Sequence, residues 1–273
     1  MSGSPTGTDV SSSCRYAITV WFAALTFSTA DAQPAATAAP PAQSGRAAAP
    51  IDLTGWWVSV ITEDWRWRMV TPVRGDFANI PLAPAAYAVG ASWDPAMDEA
   101  AGEACKAYGA PAIMRRPGRL HITWADGDTL RIDTDEGTQT RLLHFASAPP
   151  ASEQPSLQGW SSARWEPPMR GSAPPEPFSV GTQPRAGTQG RALEVTTSQL
   201  RPGYLRANGI PFSDQVELTE YFNTFREPSG TEWFVVTTVI RDPVYLVGPF
   251  VTTSNFKREP TGAKFRPVPC RVR

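Results

Sequence analysis

Two histidines occur in the 273 residues, His121 and His144, so chemistry that needs an imidazole has to use one of them. His121 lies in an alternating stretch, Leu120-His121-Ile122-Thr123-Trp124, and Leu130-Arg131-Ile132-Asp133 follows after Asp126-Gly127-Asp128. A three-residue turn at 126–128 pairs Ala125 with Thr129. Leu120, Ile122, Trp124, Leu130 and Ile132 then share one face, and His121, Thr123, Arg131 and Asp133 share the other. A two-residue turn would mix the two sets, so the pattern selects the longer turn. In that register His121 stands directly opposite Asp133. A cross-strand carboxylate orients an imidazole and raises its pKa, the coupling of a general-base dyad. The plainer reading is a partly exposed structural pair worth less than about 1 kcal/mol.

Glu220 is the third candidate for acid/base work. A turn at Pro228-Ser229-Gly230 pairs Glu227 with Thr231 and sets Glu220 among Leu218, Phe222, Phe234, Val236, Thr238 and Ile240. A carboxylate on such a face must be paired or protonated, and Arg68, Arg131 and Arg201 are the partners considered. It is either an ion pair inside the fold or a pocket acid. The side of His144 depends on one residue of register in 138–145. Two histidines without neighbouring cysteines do not make a zinc set, so neither a metal nor a cofactor is expected. No G-x-S-x-G motif occurs, which disfavours covalent hydrolysis.

The candidate ligand-binding side chains come from aromatic and cationic positions. A hairpin of 55–62 with 65–71, turning at Glu63-Asp64, puts Trp56, Val58, Val60, Trp65, Trp67 and Met69 on one face. The other face carries Trp57, Ser59, Ile61, Arg66, Arg68 and Val70. One face is core; the other meets solvent or lines a pocket with two cations. Trp56, Trp65, Trp67 and Trp124 are assigned to the core. Trp57, Trp160 and Trp165 are candidates for a ligand wall, and Arg66, Arg68 and Arg131 are its candidate cations. Aromatic concave surfaces suit sugar rings, aromatic ligands and apolar ligands.

The compartment follows from the N-terminus. Arg15 precedes the apolar run Tyr16–Phe27, and Ala30-Asp31-Ala32 follows it. This is the layout of a secretory signal peptide cleaved after Ala32. The run is shorter than the roughly 20 apolar residues of a membrane-spanning helix, so no integral span is expected. Cys14 falls in this leader, leaving Cys105 and Cys270 as an expected disulfide in a periplasmic or secreted protein. It would close a loop of about 165 residues and contribute at most about 5 kcal/mol in the chain-entropy model.

Residues 33–50, rich in Ala and Pro, read as a disordered spacer. The span 51–273 reads as a single β-barrel-like domain with a Pro/Gly-rich loop insertion at 167–191. Candidate strands are 55–62, 65–71, 111–116, 119–125, 129–135, 138–145, 160–166, 192–199, 215–226, 231–241 and 249–257. One helix is expected at 94–108, with Asp94 as N-cap, Pro95 at its first position and Gly109 beyond its end. A shorter helical turn is expected at 84–91. Short hairpin connections exclude a βαβ sheet. The expected class is mainly β: an antiparallel closed barrel or a curved sandwich with one helical insertion near 94–108. The net charge of −1 argues against a nucleic-acid partner.

Two stretches carry a resemblance. Gly55-Trp56-Trp57, within Asp52-Leu53-Thr54-Gly55-Trp56-Trp57, is similar to the opening of lipocalin-like barrels. The series Gly159-Trp160-Ser161, Trp165-Glu166, Leu193–Thr197, Arg206–Ser213, Glu220-Tyr221-Phe222 and Asp242–Tyr245 resembles a group of secreted, functionally uncharacterised bacterial all-β proteins. The resemblance implies export and β architecture, and no catalytic residue. Three functions therefore stand as expectations. One is an exported barrel binding a small apolar or aromatic molecule in the periplasm. The others are an enzyme performing elimination, isomerisation or hydration with the His121–Asp133 dyad, and a surface structural module. The small-molecule ligand is unnamed, and oligomeric state is left open.

Overall fold

Nine segments form strands, and in most of them alternation of apolar and polar residues buries every second side chain. They are β1 (Gly55–Val60), β2 (Arg119–Trp124), β3 (Thr129–Thr134), β4 (Thr140–His144), β5 (Trp160–Trp165), β6 (Leu193–Ser198), β7 (Glu217–Arg226), β8 (Glu232–Arg241) and β9 (Phe250–Glu259). In β8, for example, Phe234, Val236, Thr238 and Ile240 are buried. The structure is a computed structural model describing residues 43–145, 148–166 and 192–272. The leader at 1–32, the first part of the spacer (33–42) and the insertion at 167–191 lie outside the described residues.

The nine strands form one closed barrel in which each pairs with its sequence neighbours and β9 returns to β1. Closure satisfies both edges of every strand. An odd number of strands cannot alternate all the way round, so one neighbouring pair has to be parallel. That pair is β4 and β5, joined only through Leu143 with Ser161 and His144 with Ser162. The interior is filled by side chains such as Ile122, Ile132, Leu193, Phe222, Phe234 and Phe256. Trp57 also points inward, donates its indole N–H to the Leu53 carbonyl at 2.9 Å, and lies under the Arg258 guanidinium.

The four α-helices among the described residues, α1 (Trp65–Arg68), α2 (Pro84–Ser92), α3 (Pro95–Ala100) and α4 (Ala110–Ile113), fall in the insertion between β1 and β2. Two expected strands are therefore helical turns. At 65–71, Asp64 takes a left-handed backbone (φ 51°) and turns the chain away from β1, whose partners are β2 and β9. No hairpin forms at Glu63-Asp64, so the two faces expected for it do not exist. At 111–116, Pro111 at the first helical turn starts α4, and all four of its residues are buried.

The expected helix at 94–108 is broken. Asp94 caps α3 through the Ala96 N–H as expected, but Gly102 at φ 70° ends the run, and a separate 3₁₀ turn follows at Lys106–Tyr108. Met97 faces solvent, while Asp98 is buried under the Trp93 indole, Lys106 and the Tyr204 hydroxyl. A small hairpin, Gly203–Arg206 with Ile210–Phe212, was not expected. With α2 and residues 77–82 it covers Leu218, Ile240 and Phe250 at the ends of three barrel strands.

The described end of the spacer, residues 43–50, is packed rather than free. Gly45 donates its N–H to Asp128 at 2.7 Å, and its carbonyl accepts from the Trp165 indole at 2.7 Å. Cys105 and Cys270 are disulfide-bonded, and Val268–Pro269 pairs with Glu136–Gly137. The tail is thereby tied to the insertion and to the β3–β4 turn. Among the described residues no helix is long and apolar enough to cross a membrane.

Candidate functional site

The turn at Asp126–Asp128 has the expected register, with Ala125 against Thr129 and His121 against Asp133. The pair is on the outer barrel face, since Leu120, Ile122, Leu130 and Ile132 point inward. Asp133 accepts from Arg131 Nε at 2.7 Å, Arg131 Nη2 at 2.8 Å and the Thr140 hydroxyl at 2.6 Å. Burial works to raise the Asp133 carboxyl, but these donors outweigh it and hold the group below the ordinary range. His121 is stacked flat on Trp56, with 3.6 Å between ring centres. The carboxylate is thus committed to Arg131 and Thr140, and the imidazole to an indole. His144 points outward too and stacks on Trp160 at 3.8 Å, where burial lowers its pKa.

Glu220 is on the other side of the sheet and cannot join them. It is fully enclosed in the barrel, and its partner is Arg141 rather than Arg68, Arg131 or Arg201. Arg141 points inward because it shares a face with Leu143, leaving Leu142 exposed. Arg201 pairs instead with Glu103 on the surface.

The candidate ligand wall is likewise dispersed. Trp57 is core, Trp160 covers His144, Trp165 is bonded to Gly45, and Arg131 holds Asp133. The core assignments of Trp56 and Trp65 are corrected as well: Trp56 is stacked outside the barrel, and Trp65 faces solvent. Trp67 is partly buried and lines the cavity that does form.

That cavity, about 280 Å³, lies between the insertion and the 203–206 strand. Four arginines from three separate segments converge on it. Arg68 comes from the end of α1, Arg115 and Arg116 follow α4, and Arg206 ends the small strand. Trp67, Met69, Ala107, Ala112, Leu205 and Ala207 supply apolar wall.

The cations differ in how they are balanced. Arg115 bonds Asp64 at 2.8 Å and Thr252, and lies over the Phe250 ring. Arg116 bonds Glu136 at 3.1 Å and the Tyr108 hydroxyl at 2.8 Å. Among the described residues Arg206 donates to the carbonyls of Asp76 and Ala78 alone. Arg68 donates Nε–H to the Arg115 carbonyl at 2.8 Å, while Nη1 and Nη2 are buried and have no partner among the described residues.

Burial, followed by the charge of Arg115, pushes both Arg68 and Arg206 down to about 10. A guanidinium resists losing its proton, so both stay charged at neutral pH. Neither cation has a hydrogen-bonded carboxylate partner among the described residues, although Glu63 and Asp64 act on Arg68, and Asp64 and Asp76 on Arg206, from farther off. The two terminal nitrogens of Arg68 have the planar two-donor geometry that matches a carboxylate or phosphate.

Sequence reading singled out Arg68 but not Arg115, Arg116 or Arg206. The available signal was the Arg115-Arg116 doublet ending an apolar stretch, and the expected strand at 111–116 concealed it. Among the described residues no group of three or more His, Cys, Asp or Glu is placed to hold a metal.

Fold and cavity together describe a closed β-barrel with an arginine-lined recess at its flank. No family model, curated protein or solved structure matches the chain.

Proposed function

We propose that this protein binds a small organic anion in the arginine-lined cavity beside the barrel. The observation that carries this reading is Arg68, whose two terminal nitrogens are buried and have no partner among the described residues, in a cavity lined by three more arginines. Buried donors without partners are costly, and a ligand carboxylate or phosphate would satisfy them. A volume of about 280 Å³ favours a metabolite-sized molecule. Export to the periplasm or beyond belongs to the same proposal. The layout of residues 1–32 and the Cys105–Cys270 bond support it.

Thermal-shift measurements with benzoate, phenyl phosphate, inorganic phosphate and neutral benzyl alcohol test the binding. The anions should raise Tm and the alcohol should not, and Arg68→Gln should remove the response. Equal shifts by alcohol and benzoate, or a full response in Arg68→Gln, would overturn it. Export is tested by N-terminal sequencing of the protein recovered from its host, which should begin at Gln33.

A further inference from the structure

A second cleft, about 320 Å³, adjoins the cationic cavity, and Trp67, Met69, Val70 and Thr71 line both. Its remaining wall is Trp65, Pro72 and Val73 together with the Arg66–Asp76 ion pair. Within nine residues of chain, Trp65 is 69% exposed, Met69 57%, Val70 70% and Val73 76%. One such residue is ordinary on a surface; four together along the rim of a cleft form a patch that calls for a ligand or partner.

We infer that the ligand is a single-chain anionic amphiphile, its head on Arg68 and its apolar chain along the Trp65–Val73 cleft. This rests on the anion-binding reading and narrows its ligand class. Charge complementarity selects the head: among the described residues the unpaired donors of the cavity lining are the two Arg68 terminal nitrogens and Arg116 Nε, and the Arg68 pair has the two-donor geometry that takes a carboxylate or a phosphate monoester. Recess selects a free molecule over a bilayer surface. Arg68, Arg115 and Arg206 are each at most 8% exposed, so a flat headgroup layer cannot reach them, whereas a single chain-bearing anion can enter. A second protein copy on the apolar rim would leave the Arg68 nitrogens unsatisfied.

Calorimetric titration with acetate, butanoate, hexanoate and octanoate, kept below micellar concentrations, tests the inference. Affinity should rise up to about fourfold per methylene while the chain is being buried. Octanol should bind at least tenfold more weakly than octanoate, and Arg68→Gln should bring octanoate down to the level of octanol. The surface variant Trp65→Ser/Val73→Ser, at positions that line the apolar cleft and not the cationic cavity, should flatten the chain-length dependence and leave phosphate and acetate binding unchanged.

The failures are separable. Short anions bound through Arg68 with no gain from chain length would overturn the amphiphile and keep the anion site. Octanol and octanoate binding alike, with Arg68→Gln unaffected, would overturn both. Flotation with anionic phospholipid vesicles but no binding of free octanoate would mean a membrane-docking face and would also overturn the amphiphile.

Discussion

Arg141 and Glu220 meet inside the barrel through a two-pronged contact, Nη2 to Oε2 at 2.6 Å and Nη1 to Oε1 at 3.2 Å, with neither side chain exposed. The contact reaches from β4 to β7 past the two strands between them. Ser161 and Thr197 on those strands hydrogen-bond each other at 2.8 Å and accept from Arg141 Nη2. Removing one partner leaves an uncompensated charge in a dry interior. Glu220→Ala should therefore cost about 3–5 kcal/mol, a fall in Tm of roughly 6–20 °C for a unit of this size. Replacing both at once by apolar residues of similar volume, Arg141→Met/Glu220→Leu, should recover most of that loss. Thermal unfolding of the three proteins checks this, and equal losses for single and double variants would contradict it.

Arg68 should behave in the opposite way. Its charge is buried without a hydrogen-bonded carboxylate, so the free protein carries a penalty for holding it. Arg68→Met removes that penalty and gives up one bond to the Arg115 carbonyl, worth about 1 kcal/mol. The variant should melt at or above the temperature of the parent and show no anion response. Stability kept while binding is lost marks a residue held for a ligand rather than for the fold. A large fall in Tm would instead make Arg68 structural.

The pH profile of binding follows from the same two cations. Arg68 and Arg206 sit at about 10 when folded, below the ordinary arginine value, so the folded state holds their protons less tightly than the unfolded chain does. Below about pH 10 both remain charged and their penalty is in force; as pH rises through 10 it is progressively relieved, and anion attraction is lost with it. The anion-induced shift in Tm should be level from pH 6 to 9 and decline above about 10. A bound anion favours the charged form, so binding near pH 10 should take up protons, measurable as a buffer-dependent heat. A decline centred near pH 6.5 would point to a histidine and away from the arginines.

The parts of this structure that were legible in the sequence rest on strict alternation. Leu120–Trp124 and Leu130–Asp133 admit one register, and both the turn and the His121–Asp133 pairing came out of it. Short stretches were not legible. Trp65–Met69 alternates strictly yet forms a helical turn, because five residues are too few for a period to decide, and Pro111–Arg116 has no period at all. Adjacent Trp56 and Trp57 are both credible core residues; only the pairing of β1 with β2 and β9 decides that Trp57 is inside. Arg141 stayed hidden because Leu142-Leu143 offers two apolar neighbours and either could face inward. The cavity was least visible of all. Its arginines come from residues 68, 115–116 and 206, and no local pattern links segments that meet only when the insertion folds over the barrel end.

His121 and Asp133 should prove dispensable for binding and nearly so for stability. Asp133 is a partly exposed partner of Arg131, and such pairs contribute less than about 1 kcal/mol. Asp133→Asn and His121→Ala should leave the Tm within a few degrees and the octanoate affinity unchanged. Because Asp133 lies below the ordinary carboxylate range, its contribution is present at neutral pH and disappears only as pH falls through that lowered value. A loss of anion affinity in either variant would return the outer face to consideration as a site.

The disulfide connects to the cavity through Tyr108. The Arg271 N–H donates to the Tyr108 hydroxyl at 3.1 Å, that hydroxyl accepts from Arg116 at 2.8 Å, and Arg116 lines the cavity. Cys270 adjoins Arg271 and is bonded to Cys105, three residues before Tyr108, so the bond fixes both sides of this contact. Burial, only partly offset by Arg116, raises the Tyr108 pKa, which keeps its hydroxyl protonated through the physiological range. Cleaving the bond releases the tail from the insertion and removes up to about 5 kcal/mol by loop entropy. Cys105→Ser/Cys270→Ser should therefore lower Tm and weaken phosphate binding severalfold, with a smaller effect on the gain per methylene along the neighbouring cleft. Tyr108→Phe separates the two contributions: it keeps the bond and the ring beneath Arg116 but removes the hydroxyl. It should reproduce part of the affinity loss with little change in Tm. Unchanged phosphate affinity in both variants would show that Arg116 is positioned without help from the tail.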